Sequence, residues 1–112
     1  MAIILIDANV FLSALIKDSI TRKIIIYTNH IFLFPEEMMS EIRKYQELVL
    51  QKTSLNREGY QTVLQIILQH IYLISWEGYK SFYFEAERIM KDIDEKDIDY
   101  LACAMAMEVD FI

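Results

Sequence analysis

Asp7 is the first residue of this sequence whose position suggests chemistry. It directly follows residues 3–6, a continuous apolar run typical of a strand that is covered on both faces. Ligands of open parallel sheets bind beyond the carboxyl ends of the strands, so Asp7 would lie at a binding edge and could hold a divalent cation. The side chain could equally be the N-cap of a helix that begins near Asn9. Position leaves both interpretations open, and Asn9 could support either one.

Glu41 is a second candidate, on a helix that Pro35 is predicted to begin. It lies three residues after Met38 and four before Tyr45, both large and apolar. Because residues at these spacings share a helix face, Glu41 falls at the edge of the buried stripe and not on the solvated side. An ordinary boundary residue would show the same pattern, so a ligand role and a structural role both remain open.

A third group of acids begins the last predicted helix. Asp94 has the position of a capping residue, and a structural role is favoured for it. Asp97 lies four residues before Leu101 and projects from the side that carries the buried small residues 102–104, which favours a ligand role. Asp99 points to another side and is expected to be solvated.

The remaining reactive side chains favour structural roles. His30 and His70 are predicted at the ends of helical segments and are interpreted as partners of the helix dipole. Cys103 is interpreted as a packed core thiol. The only glycines are Gly59 and Gly78, so the chain has no glycine-rich phosphate loop, which excludes nucleotide-binding folds of the Rossmann and P-loop kinds.

Composition limits the class of protein. The 112 residues suit one domain, residues 1–112, and a 54% hydrophobic content can form its core. Seventeen acidic residues against eleven basic ones give a net charge of −6, which by itself opposes general nucleic-acid binding, although a bound metal ion would invert the local potential.

A single cysteine and an N-terminus with no basic leader predict a cytoplasmic protein with no membrane span. The small size favours an oligomer, because a small domain buries a smaller share of its surface.

The elements that must position these acids alternate between strands and helices. Such alternation predicts an α/β fold, with a central, mostly parallel sheet between layers of helices. A break that also begins a helix is predicted at Asp18 and Ser19, and a helix cap is predicted at Ser54. Residues 76–78 are predicted to be a connection, and residues 110–112 are predicted to begin an incomplete last strand. The predicted strands are residues 3–6, 31–34 and 71–75, and the predicted helices are residues 9–17, 20–27, 35–51, 55–69, 82–90 and 94–107.

Three motifs together resemble the PIN domain family. The sequence ILIDANVFLSAL around Asp7 is similar to the opening of PIN domains, and FPEEMMSEI, which ends just after Glu41, is similar to their second acidic motif. The sequence DEKDIDYLACA, from Asp94 through Asp97 to Ala104, resembles the third, in which an acid precedes a helix with a Leu-Ala-x-Ala pattern. The three motifs occur in the family's order across nearly the full chain.

The resemblance implies a three-layer fold and a metal-dependent endoribonuclease that uses Mg²⁺ or Mn²⁺. By motif, the metal-binding and catalytic acids would be Asp7, Glu41 and Asp97. Three second-rank residues would lie beside them: Asn9, Ser13 and Asp94. Many relatives are toxins of toxin–antitoxin pairs and many are dimers, so an RNA substrate, an antitoxin partner and a homodimer are implied as well.

One departure from the family pattern leaves a second interpretation open. The family carries a fourth acid shortly after the strand that matches Phe111 and Ile112, where this sequence ends. We therefore expect a chain truncated at its C-terminus. Without the fourth acid, the alternative is a catalytically impaired PIN-like module for binding or dimerisation.

Overall fold

A parallel sheet of three strands organises the chain. The computed structural model describes residues 1–16, 19–53 and 55–109, and the strands β1 (Ile3–Leu5), β2 (Ile31–Pro35) and β3 (Ile71–Ile74) lie side by side in that order. Residues 32–34 of β2 are buried in succession. Successive side chains of a strand point to opposite faces, so both faces of β2 are covered. The predicted parallel sheet is confirmed.

Helices connect and flank the strands, which confirms the predicted α/β fold. No helix in the described part of the chain is both long enough and apolar enough to cross a membrane. Short 3₁₀ helices cover Glu36–Met38, Lys80–Phe82 and Glu95–Asp97. The α-helices of the described residues are α1 (Ala8–Leu15), α2 (Ile20–Tyr27), α3 (Met39–Lys44), α4 (Gln46–Lys52), α5 (Arg57–Leu68), α6 (Trp76–Tyr79), α7 (Tyr83–Met90) and α8 (Ile98–Met107).

Local hydrogen bonds define α1 and α2 close to their predicted bounds. The Ser19 hydroxyl accepts a hydrogen bond from the Arg22 amide and caps α2, which confirms the helix start predicted at Asp18 and Ser19, while Asp18 itself lies outside the described residues. The Arg22 guanidinium donates to the carbonyls of Ala14, at 2.7 Å, and of Ile16. Since the last carbonyls of a helix have no partner within it, Arg22 fixes α2 against the end of α1.

The single helix predicted for residues 35–51 is wrong, because the structure divides it at Tyr45. This residue leaves the helical conformation at φ −97° and ψ 7°, so α3 ends before it and α4 begins after it. Ile42 and Val49 are both buried on either side of the break. The sequence has no glycine or proline there to indicate a break, so helical spacing alone predicted one continuous helix.

Two further predictions are corrected. Residues 76–78 belong to the short helix α6, where the Trp76 ring packs at 5.4 Å from the Tyr79 ring and at 5.2 Å from the Tyr83 ring, centroid to centroid. Helix α5 is capped by Asn56, whose Oδ1 accepts from the Gly59 amide at 2.7 Å. The cap of α5 is therefore Asn56 and not Ser54, the residue that was predicted. Ser54 lies outside the described residues, as do residues 110–112 of the predicted last strand.

Three buried aromatic rings join the elements that carry the candidate acids. The Phe34 ring of β2 lies 5.0 Å from the Phe11 ring of α1 and 6.1 Å from the Tyr100 ring of α8. Each such pair contributes about 0.5–1.5 kcal/mol beyond the burial of its area. These contacts hold α1 and α8 against β2 near its carboxyl end.

Candidate metal centre

A cleft of about 490 Å³ opens beyond the carboxyl end of β1. It is bounded by the start of α1, the α3–α4 segment and the start of α8. Of the six site residues predicted from the sequence, Ser13 alone does not line it: its hydroxyl donates to the Asn9 carbonyl at 2.9 Å within α1. The cleft brings together Asp7, Asn9, Glu41, Asp94 and Asp97 with Ala8, Leu12, Ile16, Met38, Tyr45, Leu48, Val49, Lys52, Lys96 and Tyr100.

Asp7 is a helix cap and also lines the cleft. Its Oδ1 accepts a hydrogen bond from the Val10 amide at 2.9 Å, which confirms the capping interpretation. A carboxylate has two oxygens that can each accept more than one bond, so this cap does not exhaust the group. The capping bond fixes the orientation of Asp7 at the end of β1. A role as a metal ligand stays a prediction.

Asp94 and Asp97 differ in what their carboxylates do. Asp94 Oδ1 accepts from the Lys96 amide at 3.0 Å, so the predicted capping role is confirmed. Asp97 occupies the N-cap position of α8 without a side-chain capping bond. Burial, then the charges of Asp94 and Asp7, raise the pKa of Asp97 above its ordinary value. A partly buried carboxylate next to two other acids is stabilised by a cation, so Asp97 is the strongest ligand candidate.

Tyr100 is a member of the cleft that the sequence reasoning missed. It is almost fully buried, and its hydroxyl oxygen accepts a hydrogen bond from the Ala8 amide at 3.0 Å. Burial raises the pKa of Tyr100 most, the Ala8 bond opposes this, and the charges of Asp7, Glu41 and Asp97 raise it further, so the hydroxyl keeps its proton at neutral pH.

The hydrogen bond between Ala8 and Tyr100 links the N-terminal helix α1 to the C-terminal helix α8. It joins α8, one turn after Asp97, to the residue that directly follows Asp7. The bond therefore fixes the segment that carries one acid against the helix that carries another. The spacing of three residues between Asp97 and Tyr100, which places both on one helix face, was the available signal.

Asp99 corrects a prediction. It was expected to be solvated, but it is partly buried and accepts a hydrogen bond of 2.6 Å from the Tyr79 hydroxyl. Its neighbours include Glu37, Trp76 and Tyr83, on a side of α8 away from the cleft. The prediction failed because α6, which supplies Tyr79, was interpreted as a connection.

The other reactive side chains lie outside the cleft. His70 Nδ1 is 2.8 Å from the Ile66 carbonyl near the end of α5, as expected for a partner of the helix C-terminus. His30 instead accepts a hydrogen bond from the Ala2 amide through Nδ1, at 2.9 Å, so the prediction of a dipole role is wrong for it. Cys103 is fully buried, and burial is the main cause that raises its pKa to about 11, which confirms a core thiol.

The donor set of the cleft fits a hard cation by type. Carboxylates and the Asn9 amide supply oxygen ligands, which Mg²⁺ and Mn²⁺ prefer. Among residues 1–16, 19–53 and 55–109, however, no three Asp, Glu, His or Cys side chains converge closely enough to hold one ion. Mg²⁺ commonly binds through one or two carboxylates and keeps several of its waters. The cleft thus offers suitable donors without a closed cage of three direct ligands among these residues.

The fold agrees with a comparison against family models. The model for the PIN domain matches residues 5–111. The chain therefore belongs to the PIN domain family, whose members are nuclease-like and generally depend on divalent metals. No curated protein and no solved structure matches the chain significantly.

Proposed function

We propose that this protein is a metal-dependent endoribonuclease that hydrolyses phosphodiester bonds of RNA. One observation carries the proposal: three acids from segments far apart in the sequence, Asp7, Glu41 and Asp97, line one cleft at the carboxyl edge of a parallel sheet. That edge is where ligands bind in open α/β sheets. Membership of a nuclease-like family supports the same chemistry.

The proposed cofactor is Mg²⁺ or Mn²⁺. When bound, such an ion stabilises negative charge on the phosphate oxygens and lowers the pKa of a bound water. Of Asp7, Glu41 and Asp97, one or two would hold it directly and the rest would act through its bound waters, with Asn9 and Asp94 beside them. The charges of Asp94 and Asp7 raise the pKa of Asp97 in addition to the effect of burial, so these carboxylates repel one another. A bound cation would relieve such repulsion and stabilise the folded protein.

The chain's own residues would have distinct tasks in this reaction. Asp7 is oriented by its bond from the Val10 amide, and its segment is fixed by the Tyr100 hydroxyl. Asp97 carries no capping bond, so its carboxylate can turn towards a ligand in the cleft without loss to α8. Positioned donors of this kind lower the reorganisation that accompanies catalysis.

RNA cleavage by the purified chain tests the proposal. A single-stranded RNA should be cleaved with Mg²⁺ or Mn²⁺ and stay intact with a chelator. Asp97→Asn should lower the rate by at least about 100-fold, because even residues behind metal ligands contribute roughly 10–100-fold. Asp99→Asn is the matched control, since Asp99 lies on the same helix outside the cleft and asparagine can still accept the Tyr79 bond. Equal activity of wild type and Asp97→Asn would overturn the proposal.

A PIN-like module that binds without cleaving is the second candidate function. It is favoured by one observation, that no three acidic side chains converge on one point within residues 1–16, 19–53 and 55–109. This function predicts that the chain retains RNA in a binding assay while no metal at millimolar concentration gives cleavage. Saturable cleavage that depends on Mn²⁺ would contradict it.

The roles of the protein in a larger system follow from the family resemblance alone and stay predictions. They are a toxin of a toxin–antitoxin pair, an antitoxin partner and a homodimer. Light scattering of the purified chain measures the oligomeric state, and growth of cells after induction of wild type or Asp97→Asn measures toxicity. If the protein is a toxin that acts through the proposed site, induction of the wild type should slow growth and induction of Asp97→Asn should not.

A further inference from the structure

Four large apolar side chains line the cleft and have no part in the proposed metal chemistry. We call this set the apolar wall; its members are Leu12, Ile16, Tyr45 and Leu48. Ile16 is 36% exposed, Tyr45 is 37% exposed and Leu48 is 46% exposed. Large apolar side chains that remain exposed next to convergent polar groups are typical of ligand sites.

Two lysines line the same cleft. Lys52 ends α4 and Lys96 lies in the 3₁₀ helix before α8. Neither forms an ion pair with any residue that the structure describes. In a chain with a net charge of −6, these two ammonium groups would attract an anionic ligand, and a cation held at the acids would attract the same ligand.

We propose that the apolar wall binds an unpaired nucleobase, with Tyr45 as the surface on which the base stacks. This inference rests on the proposed function, because it assigns the nucleotide next to the phosphate held at the acids. A nucleotide carries an anionic phosphate and an aromatic base side by side, and the cleft is lined by acids that can hold a cation, by two lysines and by apolar side chains. The volume of about 490 Å³ lies within the rough range of 300–1,000 Å³ for ligand sites.

Tyr45 is suited to this task by its position. It occupies the break between α3, which carries Glu41, and α4, which carries Leu48 and Lys52. The ammonium of Lys44 lies over the Tyr45 ring, 5.6 Å from its centre, so the base would stack on the opposite face of the ring. Stacking on an aromatic ring requires a base that is free of a duplex and tolerates any base identity. The site would therefore select single-stranded RNA with little preference for sequence.

Binding of two small probes tests the proposal on the full chain. Adenosine 5′-monophosphate and ribose 5-phosphate share the sugar and phosphate, and only the first carries a base. In the presence of Mn²⁺, calorimetry should give a tighter dissociation constant for adenosine 5′-monophosphate by roughly 5- to 150-fold, the range expected for stacking of one base. Tyr45→Ala should abolish this ratio, whereas Tyr45→Phe should retain it because the ring remains.

Controls keep the test independent of folding and of catalysis. Tyr27→Ala removes an exposed tyrosine of α2 outside the cleft and should leave the ratio unchanged. Leu48→Glu, at an exposed position of the wall, should lower affinity for adenosine 5′-monophosphate more than for ribose 5-phosphate. Equal binding of the two probes to wild type, or a ratio that survives both Tyr45→Ala and Leu48→Glu, would overturn the base site. If the ratio behaves as expected while RNA is not cleaved, the base site stands and the nuclease function fails.

Discussion

Replacement of Tyr100 by phenylalanine separates the positioning of the cleft from the stability of the fold. Tyr100→Phe keeps the ring that packs against Phe34 and removes only the hydroxyl. The Ala8 amide, the first of α1, then loses the acceptor that it contacts at 3.0 Å. Since Ala8 follows Asp7, the segment that carries this acid is no longer fixed to α8.

The expected magnitude follows from the environment of the lost bond. A buried amide that is left without its acceptor destabilises a protein by about 1–3 kcal/mol. The Ala8–Tyr100 bond is only partly buried, so water can replace the hydroxyl in part and we expect about 1–2 kcal/mol. For a chain of this size that corresponds to a fall in Tm of roughly 4–8 °C. Displacement of Asp7 should weaken Mn²⁺ binding by about 10–100-fold, as for other residues that orient metal ligands.

Two measurements on each variant make the assay. Thermal unfolding with a chelator gives the change in stability, and a Mn²⁺ titration followed by electron paramagnetic resonance gives the dissociation constant. Tyr79→Phe is the matched control, because it also removes a tyrosine hydroxyl that bonds to α8, at Asp99 and away from the cleft. It should lower stability by about 1.5–3 kcal/mol, as expected for a hydrogen bond to a charged acceptor, and leave Mn²⁺ affinity unchanged.

The comparison can refute the reasoning in two ways. Tyr100→Phe could lose stability while its Mn²⁺ dissociation constant matches that of wild type, in which case the hydroxyl does not position Asp7. Tyr79→Phe could weaken Mn²⁺ binding as much as Tyr100→Phe, in which case any loss of stability in α8 disturbs the cleft and Tyr100 has no special role.

Three further predictions concern single side chains. Asp7→Asn should leave stability in chelator nearly unchanged, while Asp7→Ala should lower it by about 1 kcal/mol because the Val10 amide loses its cap; thermal unfolding measures both, and equal losses would contradict the capping role. Burial and the charges of Asp94 and Asp7 raise the pKa of Asp97 in the folded protein above its value in the unfolded chain. The folded protein therefore becomes less stable as pH rises and the Asp97 carboxyl ionises, and it suffers no such loss below the unfolded pKa. Asp97→Asn should therefore raise Tm in chelator at pH 7, with a gain that disappears below about pH 4, and a constant difference across pH would refute this. Cys103, with its pKa at about 11, should resist an aromatic disulfide reagent at pH 8 until denaturant is added, and rapid labelling of the folded protein would contradict its burial.

Much of the fold could be predicted because its signals are local. The apolar run of β2 and the polar residue after β1 are readable from a few neighbours, and both indicated the sheet and its binding edge. The break at Tyr45 and the helix at Trp76–Tyr79 were missed for different reasons: no glycine or proline marks the break, whereas Gly78 lies within the helix and is typical of a connection. Local spacing therefore indicated a continuous helix in the first case and a loop in the second.

Local signals likewise indicated some residues of the candidate site and missed the contacts that depend on distant residues. The rule that ligands bind at carboxyl ends of strands indicated Asp7, and helical spacing indicated Asp97, and both line the cleft. The hydrogen bond between Tyr100 and Ala8 could not be predicted, because it spans 92 residues. Similarly, Asp99 was misplaced because its partner, Tyr79, comes from a helix that the spacing did not indicate.

Binding of Mn²⁺ to the wild-type chain and to Asp97→Asn tests the central claim most directly, because it needs no RNA and no turnover. Electron paramagnetic resonance of free Mn²⁺ should show saturable binding to wild type and to the control Asp99→Asn, with at least tenfold weaker binding to Asp97→Asn. A cleft that holds a metal ion through its acids predicts this pattern. No saturable binding to wild type at millimolar Mn²⁺, or equal binding to Asp97→Asn, would contradict it.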